Sequence, residues 1–143
     1  MTSSRLQFLE HTADVGFDVA ADTLPELFRS AASGMFQLLL GDEYDVSRNG
    51  GRDRTEQRVH LQAGEPALLL HAWLRELLYF YESEDLAPVN VDFRTLDAHM
   101  LDAAVTLMPP SSPPLREIKG VTYHQLHLRQ DHGQWHARVI FDV

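Results

Sequence analysis

Two runs of alternating apolar residues, broken by a short polar bend, constrain this chain from its first turn onward. Leu6 and Phe8 share one parity before the break. After it, Val15, Phe17, Val19 and Ala21 alternate with Gly16, Asp18 and Ala20. A period of two is the mark of a strand with one face in a core, so the N-terminal segment predicts a β-hairpin. The break itself, His11-Thr12-Ala13-Asp14, contributes little to a core. An imidazole, a hydroxyl and a carboxylate on a tight bend can present several donors to one point, which is the chemistry of a ligand site. Thr12 and Asp14 would equally serve by hydrogen-bonding the backbone of the turn. Both readings stand at this level.

The far end of the chain has a related pattern. Trp135, Ala137, Val139 and Phe141 fall on one face of a strand, and His136, Arg138, Ile140 and Asp142 on the other. Asp142 therefore closes an apolar run beside the α-carboxylate of Val143. Two carboxylates one residue apart repel unless a cation or donors hold them. A third from Asp14 would complete an oxygen site of the kind calcium or magnesium prefers.

Between these ends the spacing predicts two helices. Thr23 is a cap, Pro25 an early helical residue, and Leu24, Leu27, Phe28, Ala31, Met35, Leu38 and Leu39 recur at helical intervals until Gly41. Gly34 inside that run is expected to mark close packing on the sheet. Residues 42–54, centred on Asn49-Gly50-Gly51, read as a mobile loop. A short strand over Val59 and Leu61 leads to a second helix from Glu65 to Glu82. Its broad apolar stripe includes Trp73, Leu77, Phe80 and Tyr81, with His71, Arg75, Glu76 and Glu82 as the polar face. Large aromatics on such a stripe are core. Val89, Val91 and Phe93, then Leu101, Ala103, Val105 and Leu107, alternate as a hairpin. The prolines of 109–114 exclude a sheet interior and mark an exposed loop. The sum is an α+β domain spanning 1–143, two helices on a mixed, largely antiparallel sheet of about seven strands.

Composition narrows the function. The net charge is −9, with 21 acids against 12 bases, so phosphate backbones should repel the chain and direct tight RNA binding is not expected. There is no cysteine, which excludes disulfides, thiolate metal sites and thiol nucleophiles. The first residues carry no secretory pattern and no apolar run is long enough to cross a bilayer, so a cytoplasmic protein is expected.

Few residues suggest catalysis. There is no G-x-S-x-G and no glycine-rich phosphate cradle. His132 and His136 are four apart, but Gly133 makes that stretch a turn into a strand rather than a helix. By parity, Tyr123 and His124 fall on opposite faces of a strand, as do His124 and His127. His11 would either ligate a metal or orient Asp14; orientation is the better reading, since a ligating carboxylate needs support. Lys119 alone reads as an ordinary solvated lysine.

Three separated segments together resemble the archease family: His11–Gly16 (HTADVG), Glu117–His124 (EIKGVTYH) and the ending Val139–Val143 (VIFDV). The likeness runs the whole chain, and its fold agrees with the α+β reading. Archeases assist the RtcB-type RNA ligase in tRNA splicing and RNA repair. The resemblance implies an enzyme activator rather than an enzyme, promoting the metal- and GTP-dependent guanylylation of that ligase and its multiple turnover. It implies a divalent cation, calcium on oxygen-ligand grounds, at Asp14, Asp142 and the Val143 carboxylate. It also places Lys119 near the acidic site. Where relatives often carry acids and histidines before the lysine motif, this chain has Pro109-Pro110-Ser111-Ser112-Pro113-Pro114, leaving water to fill a fourth protein position. Two other classes remain beside it: a stand-alone metal-dependent hydrolase, and a chaperone-like module for exposed apolar segments.

Overall fold

The computed structural model describes residues 3–10, 14–44, 46 and 54–143. The chain runs β1 (Ser4–Glu10), β2 (Asp14–Ala21), α1 (Leu24–Leu40), β3 (Thr55–Gln62), α2 (Pro66–Glu84), β4 (Ala87–Leu96), β5 (Met100–Met108), β6 (Gly120–Val121), β7 (His127–Asp131) and β8 (Gln134–Asp142). One sheet is ordered β1-β2-β8-β6, with β7 also paired to β8; the other is β3-β5-β4. Every pairing in both is antiparallel. The expected two-helix α+β class is what the chain adopts; among the described residues there are eight strands, divided between two wholly antiparallel sheets rather than joined in one mixed sheet of about seven. The additional strand arises because 120–131 does not run straight. A turn at Tyr123–Leu126, with Gln125 at φ 53°, separates β6 from β7.

Alternation decides which side of each strand is buried. Val15, Phe17, Val19 and Ala21 face the core and lie opposite Phe141, Val139, Ala137 and Trp135. The second sheet contributes Val59, Val91 and every second residue of β5 from Leu101 to Leu107. Both helices touch both sheets, forming a layer between them. That position explains their broad apolar surfaces, since a helix covered on two sides needs more than a narrow stripe.

The capping chemistry is as the spacing predicts. Thr23 Oγ1 accepts from the Glu26 N–H at 3.2 Å, and the Gly41 N–H donates to Gln37 O at 2.9 Å with Gly41 at φ 121°. At Gly34, an added Cβ would lie 2.9 Å from the Phe17 ring and 3.1 Å from Leu6 Cδ2, so this glycine does mark close helix–sheet packing. Most of the 42–54 loop lies outside the described residues. Its described part is held: Val46 is fully buried with its N–H on Ser33 Oγ, and Tyr44 packs on Phe36 with its hydroxyl donating to Pro88 O.

The polar face assigned to α2 requires correction. His71 is the one buried polar residue among those described, 3% exposed, whereas Tyr79 is 61% exposed. His71 shares its helical row with Ala67, Leu74 and Leu78, all buried, because i−4, i+3 and i+7 lie on one side. Trp73 is fully buried, and its indole N–H donates to Phe28 O.

Candidate functional site

The two ends of the chain meet in the β2–β8 ladder. Asp14 lies directly opposite Asp142, at the end where the β1–β2 connection emerges. On the other side of β8, Asp142 lies opposite Gly120. The Lys119 N–H donates to the Asp142 carbonyl at 2.7 Å, so the lysine's main chain is fixed to the strand that carries the acid.

Asp14 is half-buried, while Asp142 and Lys119 are exposed. Among the described residues neither carboxylate has an ion-pair partner, and the Lys119 ammonium makes no salt bridge. No three His, Asp or Glu side chains gather into a metal-ligating group among the described residues. The acids are a cross-strand pair. These two side chains offer oxygen donors of like charge, and among the described residues no base is bonded to them, a donor chemistry that fits a hard cation such as calcium or magnesium. His11, with Thr12 and Ala13, lies outside the described residues.

Gly16 sets how closely the two acid-bearing strands approach. A Cβ at this position would strike the Val139 carbonyl oxygen and lie 3.0 Å from both Ile140 Cα and Ile140 Cδ1. The glycine two residues after Asp14 is therefore a requirement of backbone contact. Lys119 is also distinctive, being the chain's only lysine beside eleven arginines.

The short strand after Lys119 is anchored by a residue that a simple polar-face reading passes over. The buried His71 ring donates through Nε2 to Val121 O at 2.7 Å; a carbonyl only accepts, so Nε2 carries the proton. The exposed Tyr123 ring stacks on this imidazole, centroids 3.9 Å apart and planes 12° from parallel. Burial holds His71 below its ordinary value, opposed by the bond to Val121 and reinforced by Arg75. Tyr123 and His124 thus belong to a turn rather than a strand, and Tyr123 is 63% exposed. The missed signal for His71 was its place in the buried helical row. The Thr122 N–H and hydroxyl both donate to Ile140 O, at 3.0 and 2.9 Å, completing the attachment to β8.

At the other end of β8, His132 and Gly133, at φ 52° and 76°, form the two-residue turn between β7 and β8. This is the expected turn into a strand.

The archease family model, described as Archease protein family (MTH1598/TM1083), matches residues 6–143. The chain belongs to the archease family. The archease of Methanosarcina mazei is 32% identical over 146 residues, covering 97% of this chain and 96% of that protein. The archease of Methanosarcina acetivorans is likewise 32% identical, over 148 residues and the same shares. The solution structure of Methanobacterium thermoautotrophicum Protein 1598 superposes with a TM-score of 0.69 at 27% identity, covering 96% of this chain and 98% of that one. A crystal structure of an archease from Thermotoga maritima, titled a possible chaperone, has a TM-score of 0.65 at 20% identity and 94% coverage of each chain, a likeness of fold. No described helix is long and apolar enough to cross a membrane.

Proposed function

We propose that this archease-family protein activates an RNA ligase of the RtcB type, promoting its GTP-dependent guanylylation and multiple turnover in tRNA splicing and RNA repair. The observation that carries the reading is the β2–β8 register. It brings Asp14 of the HTADVG segment opposite Asp142 of the VIFDV ending, with the EIKG segment bonded to the same strand through Lys119. Described residues from each of the three stretches that define the family likeness, Asp14, Lys119 and Asp142, meet at one end of one sheet.

In this reading Asp14, Asp142 and the Val143 carboxylate hold a divalent cation, calcium, which supplies a compact positive charge at the sheet's end. His11 orients Asp14, and Lys119 stands beside the acids as the contact for the ligase. The protein works on a partner that holds RNA, in keeping with its acidic balance, and its setting is the cytoplasm.

The test is multiple-turnover ligation by the host's own ligase with catalytic amounts of wild type, Asp14→Ala or no addition. Acceleration by wild type and its loss with Asp14→Ala are expected. Acceleration that survives Asp14→Ala refutes the carboxylate site, and no acceleration by wild type refutes the partner. The second reading is a chaperone-like module for exposed apolar segments. It predicts suppressed aggregation of unrelated clients, unchanged by Asp14→Ala.

A further inference from the structure

The solvent face of the first sheet carries a second group of side chains, separate from the paired acids. Asp18 is four residues along β2 from Asp14, about 13 Å at strand rise. Here the register lines up two rows across four strands. In one, Arg129 of β7 lies opposite His136, His136 opposite Ala20, and Ala20 opposite Arg5 of β1. In the next, His127 lies opposite Arg138, Arg138 opposite Asp18, and Asp18 opposite Gln7. Together they line an open cleft of about 690 Å³.

Charge is unevenly used within it. Arg138 is committed: Nε and Nη2 bond Asp18 Oδ1 and Oδ2 at 2.7 and 2.9 Å, and Nη1 bonds Gln125 Oε1 at 3.0 Å. Arg5 and Arg129 are exposed and pair with no acid among the described residues. Asp131, the other acid of the cleft, lies 3.5 Å from His132. His127 Nδ1 is shielded from solvent with no hydrogen-bond partner. This cleft is therefore locally cationic in a chain of net charge −9.

The cleft as a whole is roomy, but the spacing of its two unpaired arginines suits one small anion between them. Arg5 and Arg129 are three strand spacings apart, about 14 Å. Arginine side chains extended toward each other from these two positions would meet midway along the row, over Ala20 and His136. Ala20 contributes only a methyl group there, which leaves room above the sheet. Guanidinium forks match the oxygen geometry of phosphate, whose double charge rewards two of them at once.

We propose that this cleft is a phosphate site, in which Arg5 and Arg129 grip a phosphoryl group from opposite sides and His127 and His136 supply ring donors beneath it. The phosphoryl group is either that of a small phosphorylated molecule or the terminal phosphate of an oligonucleotide. A confined site of this kind fits an acidic protein better than a long basic track, because it engages one phosphate and not a backbone.

The experiment is a titration of the full chain with inorganic phosphate at constant ionic strength, following the ring proton resonances of the histidines by NMR. Saturable shifts of His127 and His136 are expected, with affinity at least tenfold weaker in the Arg5→Ala/Arg129→Ala double variant. Both arginines are surface residues, and an unchanged melting temperature verifies the fold. Shifts that track chloride equally well, or that persist in the double variant, overturn the proposal. So does the absence of any shift. Competition by a 5′-phosphorylated oligonucleotide, but not its 5′-hydroxyl counterpart, assigns the group to a nucleic-acid end. Phosphate binding without such competition assigns it to a small molecule.

Discussion

Replacing Gly16 with alanine tests how the fold builds the acid pair. The added methyl group meets the carbonyl oxygen of Val139 and the Cα of Ile140, both in the backbone of β8. Neither can rotate away, so β2 and β8 must separate locally. Overpacking costs typically 1–3 kcal/mol, and a clash with backbone belongs at the upper end, about 3 kcal/mol. For a domain of this size that is a fall in Tm of roughly 8 °C. Gly34→Ala is the matched control. Its methyl group meets only side chains, the Phe17 ring and Leu6 Cδ2, and alanine returns roughly 1 kcal/mol of helix propensity. Gly34→Ala should therefore cost less than Gly16→Ala, about 1 kcal/mol. The assay is urea unfolding of both variants and wild type, paired with calcium titration at a temperature where all are folded. Gly16→Ala should also weaken calcium binding, since Asp14 lies two residues along the disturbed ladder, whereas Gly34→Ala should leave it intact. A Gly16→Ala protein within 0.5 kcal/mol of wild type, or less destabilised than Gly34→Ala, would refute the reasoning.

Two further outcomes follow from the site. Because His71 is held below its ordinary value of 6.5, the unfolded chain takes up a proton near that pH that the folded chain refuses. Its contribution is intact above 6.5 and lost as pH falls through the folded value, at no more than about 1.4 kcal/mol per pH unit. Unfolding midpoints between pH 7.5 and 5.5 should decline less steeply in His71→Gln than in wild type; equal slopes would remove His71 as a cause. Extending the chain by a C-terminal tag converts the Val143 carboxylate to an amide and should weaken calcium binding by calorimetry. Unchanged affinity would strike Val143 from the donors.

Much of this architecture was legible because burial here follows simple periods. Alternation in 15–21 and 135–141 names the core face of both strands, and the opposite parity correctly puts Asp14 and Asp142 on one side of the sheet. Local chemistry likewise fixed the start of α1 at Thr23 and its end at Gly41. What escaped depends on contacts distant in sequence. His71 looks solvated by residue type, yet a carbonyl 50 positions away satisfies it inside the core. The separation of β6 from β7 hangs on Gln125 adopting a left-handed backbone, which its residue type does not advertise. The cleft of Arg5 and Arg129 has no motif at all, since it joins strands from opposite ends of the chain and is defined only by register.

That same register has a consequence for biosynthesis. β8 follows every other described strand in the chain, and it is hydrogen-bonded to β2, β6 and β7. Asp14 and Asp142, paired in the ladder, stand near opposite ends of the sequence. Until β8 is made, β1 and β2 have α1 packed on them but no third strand beside them, so this sheet is only two strands wide. Closure of this sheet must await residues 134–142, and such long-range pairing is slow. Nascent chains that have not reached residue 142 therefore cannot assemble the acid pair, so any activity that depends on it waits for β8.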